Sequence, residues 1–441
     1  MSELGQVLRL DARRIAPLVA VPSLALVGVV AAWRAMTPGV AGWDNALVAL
    51  TASVRWTGPL AAMLAAWLAV REHRLGYLRD LSARSPATGP LLDMLLLTHT
   101  VLLSYGVTAV AVIGETALTQ RPGPAHPLGL LAGALALVLH AVVGYLAGRL
   151  LPYLPTVAAT GVVSGLWAGL RGPGSWAALL PPAAIGRLEP FTTLHAAVPA
   201  AQLLWTAGLV AALVTGYVWT LTRRRALVVA LVCALAATAL GTHRLVSRQE
   251  AVVPARVGHV CRQWPLTICV HPALAGALPA LETALTPLAA RLGATPGAFT
   301  RVVQRPDGEP TGIHGGVAFV HIPSLNPGFE RQVVRQIQTA LTDRRSCADP
   351  RNARGLAYRA LVDVWLRGEE APPAAPSSSP KPATGNLERA SVAASVSAPA
   401  VERLTLAAQR FAGWDEARRR AWLAENYSAY RSCTLTLRHF R

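Results

Sequence analysis

The chain has 441 residues, of which 53% are hydrophobic and 15% charged, and its formal net charge at pH 7 is +18. A soluble domain is usually about a quarter charged, so this composition excludes an ordinary soluble protein and predicts that much of the chain lies in lipid. The positive charge does not indicate a nucleic-acid-binding protein, because no basic run carries interleaved aromatic residues. Attraction to anionic lipid is the interpretation we favour.

Seven apolar runs follow one another through the first half of the chain, and most approach the length of a membrane-spanning helix, about 20 residues. They lie at residues 15–33, 46–70, 91–113, 128–147, 154–170, 200–221 and 226–240, and the fifth and seventh are short. Residues 1–14 are polar and basic and predict an interfacial helix that leads into the first run. The loop at 171–200 is either a short re-entrant piece or a structureless outer loop.

Basic residues decide how these spans are oriented, because loops rich in Arg and Lys stay on the cytoplasmic side of a membrane. With seven spans, one side holds most of the loop arginines, including the triplet Arg223, Arg224 and Arg225 between the last two runs. We therefore expect a cytoplasmic N-terminus and an extracytoplasmic chain after residue 242. Residues 1–242 then form a polytopic α-helical membrane domain in the plasma membrane.

The second half of the chain has the pattern of short strands and helices that is typical of a compact domain. Residues 243–370 predict a small extracytoplasmic α+β domain, with strands at 299–304 and 316–322 and helices at 273–292, 329–341 and 353–366. Residues 371–399 are rich in Ala, Pro and Ser and predict a flexible linker. Residues 400–441 predict a C-terminal helix that packs back on the α+β domain.

Four of the five cysteines lie in this second half. They are Cys261, Cys269, Cys347 and Cys433. An even set in an oxidising compartment favours disulfides, and four cysteines allow three pairings. We favour Cys261 with Cys269, which closes a short loop, and Cys347 with Cys433, which ties the tail to the domain. The alternative is a zinc site that adds His259 and His271 to the first two cysteines, but its spacing does not match a zinc knuckle.

Ionisable residues in or near the apolar runs are candidates for a functional role. Arg55 lies some way into the second run, and Glu115 lies at the outer end of the third, at a roughly matching depth. We predict a structural ion pair between them, because such pairs more often hold helices together than touch a substrate. Asp93, His99 and His140 are interpreted as packing residues.

The stretch from Arg71 to Pro86 is a charged segment between the second and third apolar runs. Leu75, Leu78 and Leu81 recur every three residues, so one face of a short helix would be apolar. Pro86 ends that helix. The stretch predicts a basic cytoplasmic loop whose short helix lies along the membrane and offers its polar face to a partner.

This stretch resembles the loop after the second span of the ABC type-2 permease family, which docks on the ATPase. The matching residues are Arg71, Glu72, Arg74, Gly76, Leu78, Leu81 and Pro86. Tyr77 and Ser85 stand where the family more often has Thr. The resemblance implies a membrane subunit of an ABC transporter that works as a homodimer or with a related permease. The implied partner is a separate ABC ATPase subunit, and the implied substrate is hydrophobic or peptide-like. An ordinary basic loop is the alternative.

Motifs for catalysis are missing from the sequence. It holds no His-Glu-x-x-His, no Gly-x-Ser-x-Gly and no Walker-type phosphate loop. We therefore expect no enzymatic activity in this chain, no cofactor and no metal, and we assign any ATP hydrolysis to a separate subunit. Because the simplest permeases have no counterpart of the outer domain, a membrane-anchored extracytoplasmic binding or sensor protein is the rival hypothesis.

Overall fold

The structure is a computed structural model that describes residues 15–40, 42–74, 87–118, 127–172, 174–175, 177–185, 188–248, 251–255, 257–369 and 398–441. It divides into two compact units, Met1–Arg256 and Val257–Arg441. The predicted interfacial helix at 1–14 and almost all of the predicted linker at 371–399 lie outside the described residues. The described chain is mostly helical, with one small mixed sheet in the second unit.

The N-terminal unit contains a helix at each of the seven predicted apolar runs. These helices are α1 (Ile15–Ala35), α2 (Trp43–Arg74), α3 (Thr88–Leu118), α4 (Pro127–Leu150), α5 (Leu154–Gly169), α6 (Ala197–Thr222) and α7 (Ala226–Val246). Helix α2 packs against α1, α3, α4 and α5 and is therefore the central helix of the unit. Its contact face is lined with small residues, among them Ala61, Ala62, Ala65 and Ala66, which are buried.

Six helices of the described chain are long and apolar enough to cross a membrane. Five of them are α2, α3, α4, α6 and α7, while α5 and the apolar part of α1 are shorter than the others. The sixth, Pro272–Leu292, buries Leu281, Leu285, Leu288 and Leu292 within the second unit. We assign that helix to the core of the second unit, because its apolar residues form one buried stripe. The apolar helices indicate a membrane protein.

A two-stranded sheet closes the N-terminal unit after α7. Strand β1 (Thr192–Leu194) pairs antiparallel with β2 (Val252–Pro254). The Asp44 carboxylate, in the first turn of α2, accepts hydrogen bonds from the Thr193 hydroxyl at 2.7 Å and from the Leu194 amide at 3.4 Å. The chain therefore returns to its first unit before it enters the second. The domain boundary that we expected after residue 242 falls inside α7, whereas the units divide after Arg256.

The C-terminal unit is an α+β unit built on a five-stranded sheet. The strands are β3 (Val260–Arg262), β4 (Thr267–Val270), β5 (Arg301–Gln304), β6 (Gly312–His314) and β7 (Val317–Val320), in the order β3-β4-β5-β7-β6. The β4–β5 and β5–β7 pairs are parallel, and the two outer pairs are antiparallel. Both predicted strands, at 299–304 and 316–322, are confirmed as β5 and β7.

Helices cover this sheet and extend to the C-terminus. They are α8 (Leu278–Leu292), α9 (Phe329–Ala340), α10 (Arg344–Cys347), α11 (Ala353–Leu366), α12 (Ala398–Gly413), α13 (Glu416–Glu425) and α14 (Tyr427–Arg431). Phe411 packs edge-on against Trp365 of α11, with ring centroids 5.6 Å apart. The Trp365 indole also donates a hydrogen bond to Glu416 at 3.0 Å. These contacts hold α12 and α13 against α11.

Candidate functional site

Residues 71–86, which the permease resemblance assigns to contact with the ATPase, are called the coupling segment. This segment begins inside the last turn of α2. Arg71, Glu72 and Arg74 all belong to this helix, and the Arg71 guanidinium lies 5.6 Å from the centre of the Trp67 ring. Gly76, Leu78 and Leu81 lie outside the described residues. Helix α2 has 32 residues, which is about 48 Å at about 1.5 Å per residue, against about 30 Å of hydrocarbon in a bilayer. The helix therefore carries the first charged residues of the coupling segment without a break.

A buried polar contact lies where α3 and α4 approach this end of α2. The Tyr145 hydroxyl of α4 donates a hydrogen bond to the Asp93 carboxylate of α3 at 2.9 Å, and both side chains are buried. Glu72 and Arg149 also act electrostatically on Tyr145. We name Glu72, Asp93, Tyr145 and Arg149 the junction cluster, because the Tyr145–Asp93 hydrogen bond joins α3 to α4 and the charges of Glu72 and Arg149 act on Tyr145.

Direct contact between the backbones of α2 and α4 positions the junction cluster. Gly144 lies against Ala62, and a Cβ atom added at Gly144 would overlap the Ala62 carbonyl oxygen. A Cβ atom added at Gly148 would likewise lie only 2.5 Å from the Ala66 carbonyl oxygen. Small residues four apart allow two membrane helices to pack at this distance. Tyr145 and Arg149 each follow one of these glycines and are therefore fixed relative to α2.

Sequence reasoning interpreted Asp93 as a packing residue and did not identify Tyr145 or Arg149. The signal in the sequence was the spacing of four residues between Tyr145 and Arg149, which places both on one face of α4. The Gly-x-x-x-Gly pattern at Gly144 and Gly148 marks the face that contacts α2. Neither pattern names the partner helix, since any of the neighbouring helices could have occupied that face.

At the opposite end of α2's apolar stretch, Arg55 contacts the end of α5. Its guanidinium donates hydrogen bonds to the backbone oxygens of Ala168 at 2.5 Å and Arg171 at 3.1 Å. Carbonyl oxygens can satisfy a guanidinium at membrane depth in the same way as a carboxylate does. The predicted ion pair of Arg55 with Glu115 stays a prediction.

Arg171 organises the chain between α5 and β1. Its side chain is buried, stacks over the Trp167 ring at 4.2 Å, and donates to the backbone oxygens of Ala177, Leu180 and Pro182. Residues 177–184 are buried and form turns. The described part of this loop is therefore neither a re-entrant helix nor exposed irregular chain. Arg171 donates hydrogen bonds to backbone carbonyl oxygens that would be bonded to backbone amides if the segment were a helix.

Both predicted disulfides are confirmed in the C-terminal unit. Cys261 of β3 lies directly opposite Cys269 of β4, with their Cα atoms 4.1 Å apart. Cys347 at the end of α10 bonds to Cys433 beyond α14, with a Cα separation of 5.1 Å. The second bridge closes a loop that contains the whole predicted linker. Extracellular and periplasmic compartments allow such bonds to persist, so they are compatible with an extracytoplasmic location.

The two histidines of the zinc alternative have structural contacts. One ring nitrogen of His259 lies 3.0 Å from the Gln304 backbone oxygen, and His271 Nδ1 accepts a hydrogen bond from the Ala273 amide at 3.0 Å. Burial lowers the pKa of His271, and the nearby His259 lowers it further. Among the described residues, no group of three or more His, Cys, Asp and Glu side chains could hold a metal ion.

A buried polar cluster fixes the C-terminal helices to the rest of the unit. The Tyr430 hydroxyl donates to Asp363 at 2.6 Å, and the Arg359 guanidinium lies over the Tyr430 ring at 4.5 Å. Arg359 also donates to the Gln338 backbone oxygen at 3.0 Å. Burial raises the pKa of Tyr430, so its hydroxyl stays protonated and remains a donor. Each polar group here has a partner within the unit, which is typical of a structural cluster.

No family model matches this chain, and no curated protein or solved structure matches it. The features of the N-terminal unit that bear on function are the junction cluster, the packing of α2 on α4, and the charged segment that follows α2.

Proposed function

We propose that this protein is the membrane subunit of an ABC-type exporter-like complex. In this proposal residues 71–86 receive the motion of a separate ATPase and pass it to the membrane helices. The observation that supports it is the continuity of α2, which runs from the central position in the N-terminal unit into the first charged residues of the segment. A partner bound at the segment would therefore act on the central helix directly.

The packing of α2 gives this motion a path into the unit. Because Gly144 and Gly148 bring α4 against the α2 backbone, the two helices can move only together or by breaking that contact. The Tyr145–Asp93 hydrogen bond extends the connection to α3, the helix that follows the segment in the chain. A displacement of the segment would thus pull on both of its flanking helices and on α4 as one body.

The rest of the proposal follows from topology and resemblance. The segment faces the cytoplasm, where the ATPase is found, and the C-terminal unit faces outward. Two copies of the chain, or this chain with a related permease, surround a path for a hydrophobic or peptide-like substrate.

The alternative is a membrane-anchored extracytoplasmic binding or sensor protein without transport activity. One observation favours it: the C-terminal unit has its own sheet, its own buried core and two disulfides. A unit of this size is large enough to be stable by itself. In that case the membrane helices would hold the unit at the surface and no ATPase would bind.

Co-purification from native membranes in mild detergent separates these functions. We expect the wild-type chain to bring down an ATP-binding subunit and a variant with Leu78→Asp and Leu81→Asp to lose it. The control is Leu151→Asp, which places one Asp, against two in the double variant, on an exposed residue in the next loop predicted to face the cytoplasm.

Size-exclusion profiles of the three proteins check that each one inserts and folds. Loss of the ATPase from the Leu151→Asp variant as well would show that the double substitution does not report on the segment. If the intact wild-type chain brings down no ATP-binding subunit, the transport proposal fails and the C-terminal unit becomes the functional part.

A further inference from the structure

The hairpin of β3 and β4 carries the most exposed large hydrophobic side chain of the described C-terminal unit. Trp264, in the connection between the two strands, is 81% exposed. Every residue of β3 is exposed, whereas Ile268, Cys269 and Val270 of β4 are buried. The hairpin is therefore rooted in the unit through β4 and presents its tip to the surroundings.

Two bonds hold the hairpin in this shape. The Cys261–Cys269 disulfide joins the strands just below the tip. The Arg262 guanidinium makes a 3.0 Å salt bridge to Glu282 of α8. A cross-linked, braced hairpin loses little conformational freedom on binding, so an aromatic residue at its tip can act as a preformed anchor.

A single exposed aromatic residue is common on proteins, so the place of this one in the chain matters. Strand β2 ends at Pro254 and belongs to the unit that holds the apolar helices. Ten residues separate Pro254 from Trp264, which is at most about 33–36 Å of extended chain. Trp264 is therefore tethered by a short length of chain to the unit that holds the apolar helices.

The net charge of the C-terminal unit favours lipid as the occupant. The chain from Val257 onward holds 22 Lys and Arg against 14 Asp and Glu, a net charge of +8. Basic surfaces are attracted to anionic lipid headgroups. Trp is enriched at membrane interfaces because its ring is apolar and its N–H group still finds a hydrogen-bond partner among the headgroups.

We propose that Trp264 inserts into the lipid–water interface, so that the β3–β4 hairpin is a membrane contact of the C-terminal unit. The occupant of this surface is lipid, and the attraction to anionic headgroups adds to the insertion of the ring. This proposal requires that α7 crosses the membrane, but it does not depend on an ATPase. A failed co-purification therefore leaves it intact, and its own failure leaves the transport proposal intact.

Depth-dependent fluorescence quenching in lipid nanodiscs tests the insertion. The full-length chain has 12 Trp residues, so the emission of Trp264 is obtained as the difference between the wild-type protein and Trp264→Phe. Because the side chain is exposed, the substitution leaves the core unchanged. The nanodiscs contain phosphatidylethanolamine and phosphatidylglycerol, with acyl chains brominated near the headgroup in one preparation. The control difference uses Trp414→Phe, at a half-buried position in the same unit.

We expect brominated lipid to remove most of the Trp264 difference emission and aqueous iodide to leave most of it. The Trp414 difference should not respond to brominated lipid. Quenching of Trp264 by iodide alone would place the tip in water and overturn the proposal. Emission that neither quencher reduces would mean that protein covers the tip, which overturns it as well.

Discussion

The packing of α2 on α4 makes a sharp prediction about Gly144→Ala. Gly144 has no room for a side chain, because an added Cβ atom would overlap the Ala62 carbonyl oxygen and lie 2.7 Å from its carbonyl carbon. Both of these atoms belong to the backbone of α2, so no rotamer change can relieve the overlap. The two helices would have to separate, and the junction cluster beside Gly144 would open with them.

The expected loss of stability in Gly144→Ala follows from two opposing free-energy contributions. Adding a methyl group to a filled site typically costs about 1–3 kcal/mol. Alanine in a helix gains about 0.5–1 kcal/mol over glycine. The net loss is then about 1–2 kcal/mol, and at roughly 2–4 °C per kcal/mol for a unit of this size the melting temperature should fall by about 2–8 °C.

The assay is thermal unfolding of the purified full-length chain, followed as the monodisperse fraction that survives heating in detergent. The matched control is Gly106→Ala, because Gly106 is also inside a helix and an added Cβ atom there meets nothing within 4 Å. We expect this control to keep or raise the melting temperature. If Gly144→Ala melts at or above the wild-type temperature, or if Gly106→Ala falls as far, the close contact of α2 with α4 is refuted.

Three further predictions concern the polar and covalent contacts. Replacing Cys347 and Cys433 by Ser removes a bridge that spans 86 residues, worth about 4–5 kcal/mol in chain entropy; limited proteolysis should then cut within 398–441. Tyr145→Phe deletes the donor to the buried Asp93 carboxylate and should cost about 1.5–3 kcal/mol, seen as a lower melting temperature. Because burial lowers the pKa of His271, the unfolded chain binds its proton more readily. Stability should therefore fall as the pH drops from about 6.5 towards the lowered pKa. His271→Asn should flatten that fall, because Asn still caps the turn but does not titrate.

Each of these predictions has an outcome that would contradict it. An unchanged cleavage pattern without the Cys347–Cys433 bridge would mean that the buried contacts of Arg359 and Tyr430 hold the tail without help. An unchanged melting temperature for Tyr145→Phe would mean that Asp93 is satisfied by other donors. A stability profile of His271→Asn that still falls like the wild type below pH ~6.5 would assign the pH dependence to another group.

Features set by short stretches of sequence were predictable. Each apolar run is a helix at nearly the predicted position, since a helix satisfies all the backbone hydrogen bonds of an apolar segment within that segment. Strands β5 and β7 were predictable from β-branched runs between turn residues. The disulfide pairing needed one more premise, that Cys261 and Cys269 close a short loop and that the tail folds back onto the domain. The structure meets that premise, since Cys261 and Cys269 are direct neighbours across a hairpin and Cys433 of the tail bonds to Cys347.

Features that depend on which helices, strands and loops pack together were not predictable from the sequence. The domain boundary moved because β2 returns to pair with β1, 58 or more residues earlier in the chain, and nothing local marks that pairing. The role of Arg171 depends on carbonyls up to 11 residues away that turn back towards it. For the same reason the contacts of Arg55 with the backbone oxygens of Ala168 and Arg171 were not predictable, since backbone oxygens are present at every depth.

The sequence by itself determined that the chain carries a series of long apolar helices followed by a disulfide-bonded α+β unit, because hydrophobicity, backbone propensity and cysteine number act locally along the chain. Only the tertiary structure decided that Tyr145, Asp93, Glu72 and Arg149 lie together at the ends of three helices. That arrangement depends on the packing of the α4 glycines against α2. A glycine pattern indicates that a helix makes a close contact, but it does not indicate which helix is the partner. The physical reason is that packing partners are selected by the shapes of whole surfaces, which no single segment contains.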